Sequence, residues 1–413
     1  MGILFFLSLI LVVEGCDNPK TVNKAPDIIV NEAQFGVNIH FTGNHPTDIE
    51  LMKNAGLKVV RTDMSWSNIE TKMGNYEFKL NGYDELTHSL IQNNLRPLYI
   101  LNYSNSLYEK ERSIVTDIGR EAFNRYVEHV TKRYSGNGIL WEVWNEPNGI
   151  FWNPKPSVEA YSLLLKSTSE TIKRNDPSGI VVAPALSGVN SDSILWLEEL
   201  YKRGAMENVD AVSVHPYRGG SPETVINDYK LLRNMMRKYT KKEIPILSGE
   251  WGYPVTKEWR GQDIDETKQA EYLVRMFLIN IYQKIPISIW YDWKNDGDDP
   301  KNAEHNFGLL GSNNNTKISY QSLKTLNDTL NGYNFNKRLE YGQTQDYIFQ
   351  FTSGTREKIL VFWTSGINHY ATISLPSGKG ELVTMLGQSE TVKWNQDQVT
   401  LNFTSSPNYL IIK

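Results

Sequence analysis

The stretch Ile139-Leu-Trp-Glu-Val-Trp-Asn-Glu-Pro147 decides the interpretation of the fold. Its first six residues have the apolar and aromatic composition of a buried strand, and Asn145-Glu146-Pro147 ends that strand abruptly. A strand that ends in this way places the carboxyl group of Glu146 at the rim of a sheet. Aromatic neighbours favour the protonated form of a carboxyl group, which can then donate its proton to a leaving group.

Seven other apolar segments resemble this one and alternate with amphipathic helical segments. The predicted strands are Phe35–His40, Lys58–Asp63, Arg96–Leu101, Ile139–Trp144, Ile180–Ala183, Ala211–His215, Ile246–Gly249 and Ile287–Trp293. Because parallel strands need crossover connections, this alternation predicts parallel pairing and the α/β class. Eight repeats over about 300 residues favour a (β/α)8 TIM barrel over an open doubly wound sheet. No Gly-x-Gly-x-x-Gly motif follows the first strand, which argues against a dinucleotide-binding fold.

The chain changes character after Gly332. Short β-rich segments separated by turn residues replace the helical pattern, which predicts a small antiparallel β-sandwich. We therefore expect the catalytic barrel to cover residues 33–332 and the C-terminal β-sandwich to cover residues 333–413.

The N-terminal residues are typical of an export signal. Residues 3–13 form an apolar run that is too short for a membrane span, and Glu14-Gly15-Cys16 follows it. The pattern resembles a bacterial lipoprotein signal, in which the cysteine becomes the lipidated first residue. We expect a signal peptide at 1–16, a linker at 17–32, and a periplasmic or cell-surface lipoprotein with a membrane anchor. The alternative is a secreted protein with an incidental cysteine.

The composition excludes some classes of partner. The net charge of -4 and the lack of a basic run interleaved with aromatics give no reason to expect nucleic acid binding. We expect a monomer without a cofactor. We also expect no metal, because zinc-dependent barrels usually need His-x-His where this chain reads Asn38-Ile-His40. The acidic run Asp296–Asp299 is interpreted as a solvated loop. The 11 Trp and 22 Tyr residues include flat rings that could cover sugar faces, although most are expected in the core.

Polar and aromatic residues follow most of the predicted strands. The active site of a TIM barrel lies at the C-terminal ends of its strands, where polar groups are costly unless they are used or paired. Glu146 ends strand 4 and Glu250 ends strand 7, so the two side chains can face each other across the barrel mouth. Two such carboxylates can cleave a glycosidic bond, at a separation of about 5–5.5 Å in retaining enzymes and about 6.5–9.5 Å in inverting ones.

The position of Asn145-Glu146-Pro147 after strand 4 and of Glu250 after strand 7, with the His-x-Tyr pair His215 and Tyr217 after strand 6, resembles clan A of the glycoside hydrolases. These are retaining enzymes with a (β/α)8 fold, and the resemblance covers roughly residues 33–330. The segments 291–299 and 305–309 are similar to bacterial family 39-like members, some of which act on exopolysaccharide.

The resemblance implies a role for each of these residues. Glu146 would be the general acid/base and Glu250 the nucleophile that forms the covalent intermediate. Tyr217 would hydrogen-bond the nucleophile, Arg61 would lower its pKa by charge, and Asn145 would hold the sugar 2-hydroxyl.

The resemblance also implies binding residues around this pair. His40 and His215 would bind other hydroxyl groups, and either Trp290 or Trp293 would form the platform under the sugar. The leading hypothesis is a retaining β-glycoside hydrolase that acts on a polysaccharide or oligosaccharide by double displacement. A transglycosylase that uses the same intermediate and a non-catalytic carbohydrate-binding surface lipoprotein are the alternatives.

Overall fold

The computed structural model of the protein describes residues 33–354 and 357–412. The predicted signal peptide, with its lipidation candidate Cys16, and the predicted linker lie outside the described residues.

The barrel part of the chain consists of parallel strands with intervening helices, with one antiparallel hairpin formed by β9 and β10. The strands are β1 (Gln34–Asn38), β2 (Val59–Ser65), β3 (Arg96–Asn102), β4 (Leu140–Val143), β5 (Ile180–Val182), β6 (Leu186–Ser187), β7 (Val212–His215), β8 (Ile246–Trp251), β9 (Thr256–Trp259), β10 (Gln262–Ile264) and β11 (Ile287–Trp290). The helices are α1 (Pro46–Asn54), α2 (Trp66–Ile69), α3 (Tyr83–Gln92), α4 (Asp117–Arg133), α5 (Val158–Asn175), α6 (Ser191–Lys202), α7 (Val225–Met236), α8 (Glu266–Tyr282) and α9 (Ile318–Leu330), with 3-10 turns at Pro222–Thr224 and Ala303–His305.

The parallel sheet closes into a barrel, which confirms the predicted fold class. Its hydrogen-bonded order is β5-β4-β3-β2-β1-β11-β8-β7-β6, so β1 joins β11, the last strand of the barrel. A parallel bridge between Val182 and Ala211 connects β5 to the start of β7, and β6 continues the path of β5 beside β7. Apolar side chains such as Val59, Leu140 and Leu247 fill the barrel interior.

Several helices begin at a residue that caps them. Thr116, Ser157, Asn190 and Asp265 each accept a hydrogen bond from a backbone N–H in the first turn of α4, α5, α6 and α8. Such caps satisfy N–H groups that have no partner inside the helix. The helices then bury their apolar stripe against the outer face of the barrel.

The remaining strands form the antiparallel part of the fold. They are β12 (Asn334–Arg338), β13 (Asp346–Thr352), β14 (Lys358–Thr364), β15 (His369–Ser374), β16 (Gly378–Val383), β17 (Ser389–Trp394), β18 (Gln398–Phe403) and β19 (Asn408–Ile412). Six of them pair in the order β12-β13-β14-β19-β16-β17, and β15 pairs with β18 over one face of that sheet. This is the predicted sandwich.

Alternation along β14 shows how the sandwich attaches to the barrel. Leu360 and Phe362 point into the sandwich core, whereas Val361 and Trp363 join the large core shared with the barrel helices. The indole Nε1 of Trp363 donates a 2.7 Å hydrogen bond to Glu223 of the barrel. Trp363 is therefore buried as a brace between the two parts and offers no surface to a ligand.

None of the helices among the described residues combines the length and apolar character that crossing a bilayer requires.

Candidate active site

Arg61 on β2 is the centre of the polar network at the barrel mouth. The side chain is 1% exposed, and its guanidinium donates to Glu142 (2.8 Å), Glu250 (2.7 Å), Asn145 (2.7 Å) and Asn38 (3.1 Å). Burial alone would lower the pKa of Arg61, but the two carboxylates outweigh burial and raise it. The planar fork of the guanidinium thus connects strands β1, β2, β4 and β8 at one point.

Glu250 near the end of β8 receives two strong hydrogen bonds. Arg61 donates to one carboxylate oxygen, and the hydroxyl of Tyr217 donates to the other at 2.9 Å. Burial would raise the pKa of Glu250, but the nearby His215 imidazole, the charge of Arg61 and these hydrogen bonds outweigh burial and lower it. The surroundings therefore hold Glu250 as a carboxylate.

Glu146 follows β4 through a sharp change of backbone direction. Trp144 and Glu146 have positive φ values of 70° and 48°, a region that residues with a Cβ rarely adopt. The backbone N–H of Glu146 donates to the carbonyl of Ala185, which anchors the turn to the segment between β5 and β6. Local strain of this kind is kept where the surrounding structure requires it, and here it turns Glu146 toward the centre of the mouth.

His215 lies between the two halves of the site. Its Nδ1 is 2.9 Å from Glu146, and its Nε2 is 3.4 Å from a guanidinium nitrogen of Arg61. Because a guanidinium only donates, Nε2 is the acceptor, and Nδ1 then carries the proton that is donated to Glu146. The His215 side chain is 0% exposed. The expectation that His215 binds a sugar hydroxyl is therefore wrong; it positions Glu146 instead.

The two glutamates lie close together. One oxygen of Glu146, one of Glu250 and a nitrogen of His215 all lie within 4.8 Å of one another. This close approach of the two carboxylates is compatible with the roughly 5–5.5 Å separation of retaining glycoside hydrolases.

Comparison with known proteins agrees with this geometry. The family model of cellulases (glycosyl hydrolase family 5) matches residues 24–297, which is more than half of the chain. The chain belongs to this family. It is a glycoside hydrolase of the retaining clan A type. Within that clan its structure resembles family 39 enzymes, so it is family 39-like in structure.

Solved structures resemble the enzyme over almost its whole length. A family 39 glycoside hydrolase from the gut symbiont Bacteroides cellulosilyticus superimposes with a TM-score of 0.81 at 25% identity, over 94% of this chain and 83% of that one. A family 39 β-xylosidase from Caulobacter crescentus has a TM-score of 0.65 at 16% identity, over 95% of this chain and 98% of that one, which is a likeness of fold alone.

Curated relatives match over a shorter region. An aryl-phospho-beta-D-glucosidase BglH of Bacillus subtilis is 25% identical over 159 residues, which cover 34% of this chain and 33% of the relative. A beta-xylosidase of Geobacillus stearothermophilus is 26% identical over 167 residues, which cover 35% of this chain and 31% of the relative. The matched region spans about a third of the length of each of these relatives.

The glycoside hydrolase has a second polar group beside the carboxylate pair, on the side of β1 and β11. His40 is exposed and lies 3.5 Å from Asp292, whose side chain is 1% exposed. Burial raises the pKa of Asp292 to about 7, and His40 partly opposes this effect. Asp63 and Asp296 lie near enough to His40 to raise its pKa, against the lowering effect of burial.

The structure corrects the prediction for the aromatic platform. Trp290 is 0% and Trp293 is 1% exposed, and their indole N–H groups donate to the Phe307 carbonyl at 3.1 Å and to Asp48 at 2.8 Å. Neither ring offers a face to a sugar, because β11 ends at Trp290 and not at Trp293 as predicted. The half-buried Tyr291 between them lies at the mouth instead.

Within the described ranges, two groups of side chains could hold a metal ion by their spacing. One is the pair of catalytic candidates with His215, and the other is His40, Asp292 and Asp296. The first group is already accounted for by its internal hydrogen bonds. The second includes Asp296 of the loop interpreted above as solvated, and Asp296 is indeed exposed.

Sequence reasoning missed Glu142 and Tyr103 as members of the site. Glu142 is 0% exposed and pairs with Arg61, and a glutamate in the middle of an apolar strand signals such a buried partner. Tyr103 follows β3; burial raises its pKa, and a hydrogen bond with Asn145 opposes that effect.

Proposed function

We propose that the enzyme hydrolyses β-glycosidic bonds of a polysaccharide or oligosaccharide by double displacement, with Glu250 as nucleophile and Glu146 as general acid/base. The observation that carries this proposal is the unequal surroundings of two carboxylates within 4.8 Å of each other. Glu250 receives hydrogen bonds from Arg61 and Tyr217. The Glu146 carboxylate, in the part of the chain that the structure describes, receives one from the imidazole of His215 and no other. Environments that separate two carboxyl groups in this way assign their roles as base and acid.

The first step would form a covalent intermediate. A Glu250 oxygen attacks the anomeric carbon, the bond from that carbon to the leaving oxygen breaks, and Glu146 gives its proton to that oxygen. The products of this step are a glycosyl ester on Glu250 and a carboxylate on Glu146.

The second step would release the sugar. The Glu146 carboxylate takes a proton from water as the water oxygen attacks the anomeric carbon, and the ester bond to Glu250 breaks. Both glutamates return to their starting states. Two inversions at the same carbon leave its configuration unchanged.

The names of relatives guide the choice of first substrates. The curated relatives are an aryl-phospho-β-glucosidase and a β-xylosidase, and the family model is that of cellulases. We therefore expect activity on an aryl β-glucoside or β-xyloside, followed by a polymer of the same unit.

Replacement of each glutamate by alanine tests the assignment. We expect Glu146→Ala and Glu250→Ala each to lose about 10²–10⁴-fold or more in kcat/KM on an aryl glycoside. Added azide should restore turnover of a 2,4-dinitrophenyl glycoside in both, with a β-azide from the first variant and an α-azide from the second. Glu271→Gln, at the contact with Ser405 and Ser406 of the sandwich, is the control that should keep activity.

Two results would contradict the proposal. One is turnover at the wild-type rate in either alanine variant. The other is inversion at the anomeric carbon, observed by NMR of the first-formed product. Hydrolysis and transglycosylation share the same intermediate, so product analysis with added sugar acceptors would separate them. Products in which the sugar is mainly transferred to the acceptor would indicate transglycosylation.

We also propose that the protein is exported and anchored by a lipid on Cys16. The apolar run before Cys16 supports this proposal. Labelled palmitate should enter the wild-type protein and not Cys16→Ser, and the variant should leave the membrane fraction. Equal partitioning of both proteins would contradict the anchor.

A further inference from the structure

Two exposed arginines stand beside the catalytic carboxylates without carboxylate partners among the described residues. Arg112, in the loop after β3, has its guanidinium carbon 5.3 Å from the ring centre of Tyr103 and 5.8 Å from that of Phe151. Tyr103 and Phe151 are stacked with ring centres 5.8 Å apart and planes 6° apart. Ile150, beside Phe151, is 78% exposed, so this part of the rim faces solvent.

Arg260 also stacks on two aromatic rings, across the barrel mouth from Arg112. It occupies the tip of the hairpin formed by β9 and β10, with its guanidinium carbon 5.2 Å from the ring centre of Trp259 and 5.8 Å from that of Tyr217. A Cβ on Gly219 would lie 2.2 Å from the Arg260 carbonyl oxygen, so the hairpin tip packs closely against the loop after β7. The guanidinium also donates to the Tyr217 carbonyl at 3.3 Å, which helps to hold the charge in place.

Five other arginines among the described residues stack on rings, and four of them have a carboxylate partner. These four are Arg133, Arg218, Arg275 and Arg338. The fifth, Arg233, donates to Gln283 instead. Guanidinium groups are over-represented where planar recognition of carboxylate or phosphate is needed, and a ring beneath the guanidinium fixes its orientation. Arg112 and Arg260 are thus donors oriented by aromatic rings, and neither has a carboxylate acceptor among the described residues.

Each arginine is one aromatic side chain away from the reacting groups. The Tyr217 hydroxyl donates to Glu250, and Tyr103 lies beside Asn145, the residue before Glu146. The β11 side of the mouth, around Tyr291, is different in charge, because the exposed carboxylates Asp296 and Glu304 lie there. We place the glycone on this side and call it the glycone pocket.

We infer that the enzyme acts on an anionic polysaccharide in which the cleaved glycone is uncharged and neighbouring units carry carboxylate or sulfate groups that bind Arg112 and Arg260. This inference deepens the proposed function, since it identifies the class of substrate for the same cleft. The acidic glycone pocket repels a charged sugar, and the two arginines attract charges outside it.

Binding to matched polymers tests the inference in the full chain carrying Glu250→Gln, which prevents cleavage. The probes are glucuronoxylan, gum arabic and polygalacturonate, each beside its carboxyl-reduced form, and dextran sulfate beside dextran. Affinity electrophoresis should show that at least one anionic polymer retards the protein more than its neutral partner. The preference should fall about fivefold with Arg112→Ala or Arg260→Ala, and disappear in the double variant.

Several controls separate charge recognition from structural support. Arg237→Ala, at the C-terminal end of α7 and so at the opposite end of the barrel, removes the same charge and should keep the preference. Raising the ionic strength to about 1 M, where the Debye length is about 3 Å, should abolish it. A response to dextran sulfate alone assigns the anion as sulfate, and a response to uronate polymers alone assigns it as carboxylate.

The inference is overturned if no anionic polymer outbinds its neutral partner, or if the double variant keeps the preference. The proposed function fails separately, through active Glu146→Ala or Glu250→Ala enzymes on aryl glycosides. If the protein prefers anionic polymers but has no hydrolytic activity, the inferred binding site is supported and the proposed hydrolysis is contradicted.

Discussion

Replacing Arg61 by lysine keeps the positive charge and removes the fork that joins four strands. In the structure the guanidinium reaches Glu142 and Glu250 on opposite sides and Asn145 at the same time. A lysine ammonium is a compact point charge that cannot contact all three. We expect it to remain near one carboxylate and to leave Glu250 without its shortest hydrogen bond.

The size of the effect follows from the contacts that are lost. A hydrogen bond to a charged group contributes about 1.5–3 kcal/mol, so kcat/KM should fall about 10- to 150-fold. Breaking a buried ion pair costs about 3–5 kcal/mol of folding stability, and this is an upper bound because lysine keeps the charge. Loss of the Arg61 contact also raises the pKa of Glu250, since that contact opposes the effect of burial. The acid limb of the rate profile should therefore move to higher pH.

The measurement is the pH dependence of kcat/KM on an aryl glycoside, which reports the ionisation of groups in the free enzyme. Arg275→Lys is the matched control, because Arg275 is also buried and donates two 2.7 Å hydrogen bonds to Glu223 at the contact with the sandwich. The control should lose stability and keep the acid limb. An unchanged acid limb in Arg61→Lys, with the protein folded, would refute the role given to Arg61.

The remaining predictions concern other positions in the barrel and sandwich. Burial raises the folded-state pKa of Asp292 to about 7. The contribution of Asp292 to the free energy of unfolding should therefore fall by about 4 kcal/mol as the pH rises from about 4 to 7. Urea unfolding of Asp292→Asn should lack this fall. Gly249→Ala should cost about 1–3 kcal/mol because its Cβ would lie 2.0 Å from the Ser213 hydroxyl oxygen, and adding Ser213→Gly should recover most of the loss in thermal melts. Trp363→Phe loses a buried hydrogen bond to the barrel, so Tm should drop and limited proteolysis should cut the sandwich faster, whereas an unchanged pattern would exclude a bracing role. Glu142→Gln should lower the amplitude of the pre-steady-state burst on a dinitrophenyl glycoside, because Glu142 balances the charge of Arg61 when Glu250 is esterified. An unchanged amplitude would reject this role of Glu142.

The sequence predicted the barrel because strand composition and helix periodicity are local properties. The order of the strands then placed Glu146 and Glu250 on one rim without any knowledge of distances. Arg61 and Tyr217 could be assigned by the family resemblance, and the structure brings both into contact with Glu250.

The orientation of rim side chains could not be predicted, because it depends on where each strand ends. β11 ends at Trp290, so the period-two alternation that would have turned one tryptophan inward stops before Trp293. His215 was expected to meet substrate, but its ring nitrogens are both used by protein groups. Such choices are made by long-range packing, which a single strand does not encode.

The position of Glu142 explains how the buried charge of Arg61 stays balanced when Glu250 loses its charge during the reaction. Formation of the glycosyl ester removes the negative charge of Glu250, and Arg61 would then be a buried cation without a counter-charge, which is costly. Glu142, 2.8 Å from Arg61 on the side away from Glu250, takes part in neither step. With Glu142→Gln, the one carboxylate among residues 33–354 and 357–412 that still pairs with Arg61 is Glu250, which the reaction neutralises. The intermediate therefore becomes less stable relative to the free enzyme. Glu142 therefore serves the reaction by balancing charge at a distance from the sugar, although it never touches the reacting atoms.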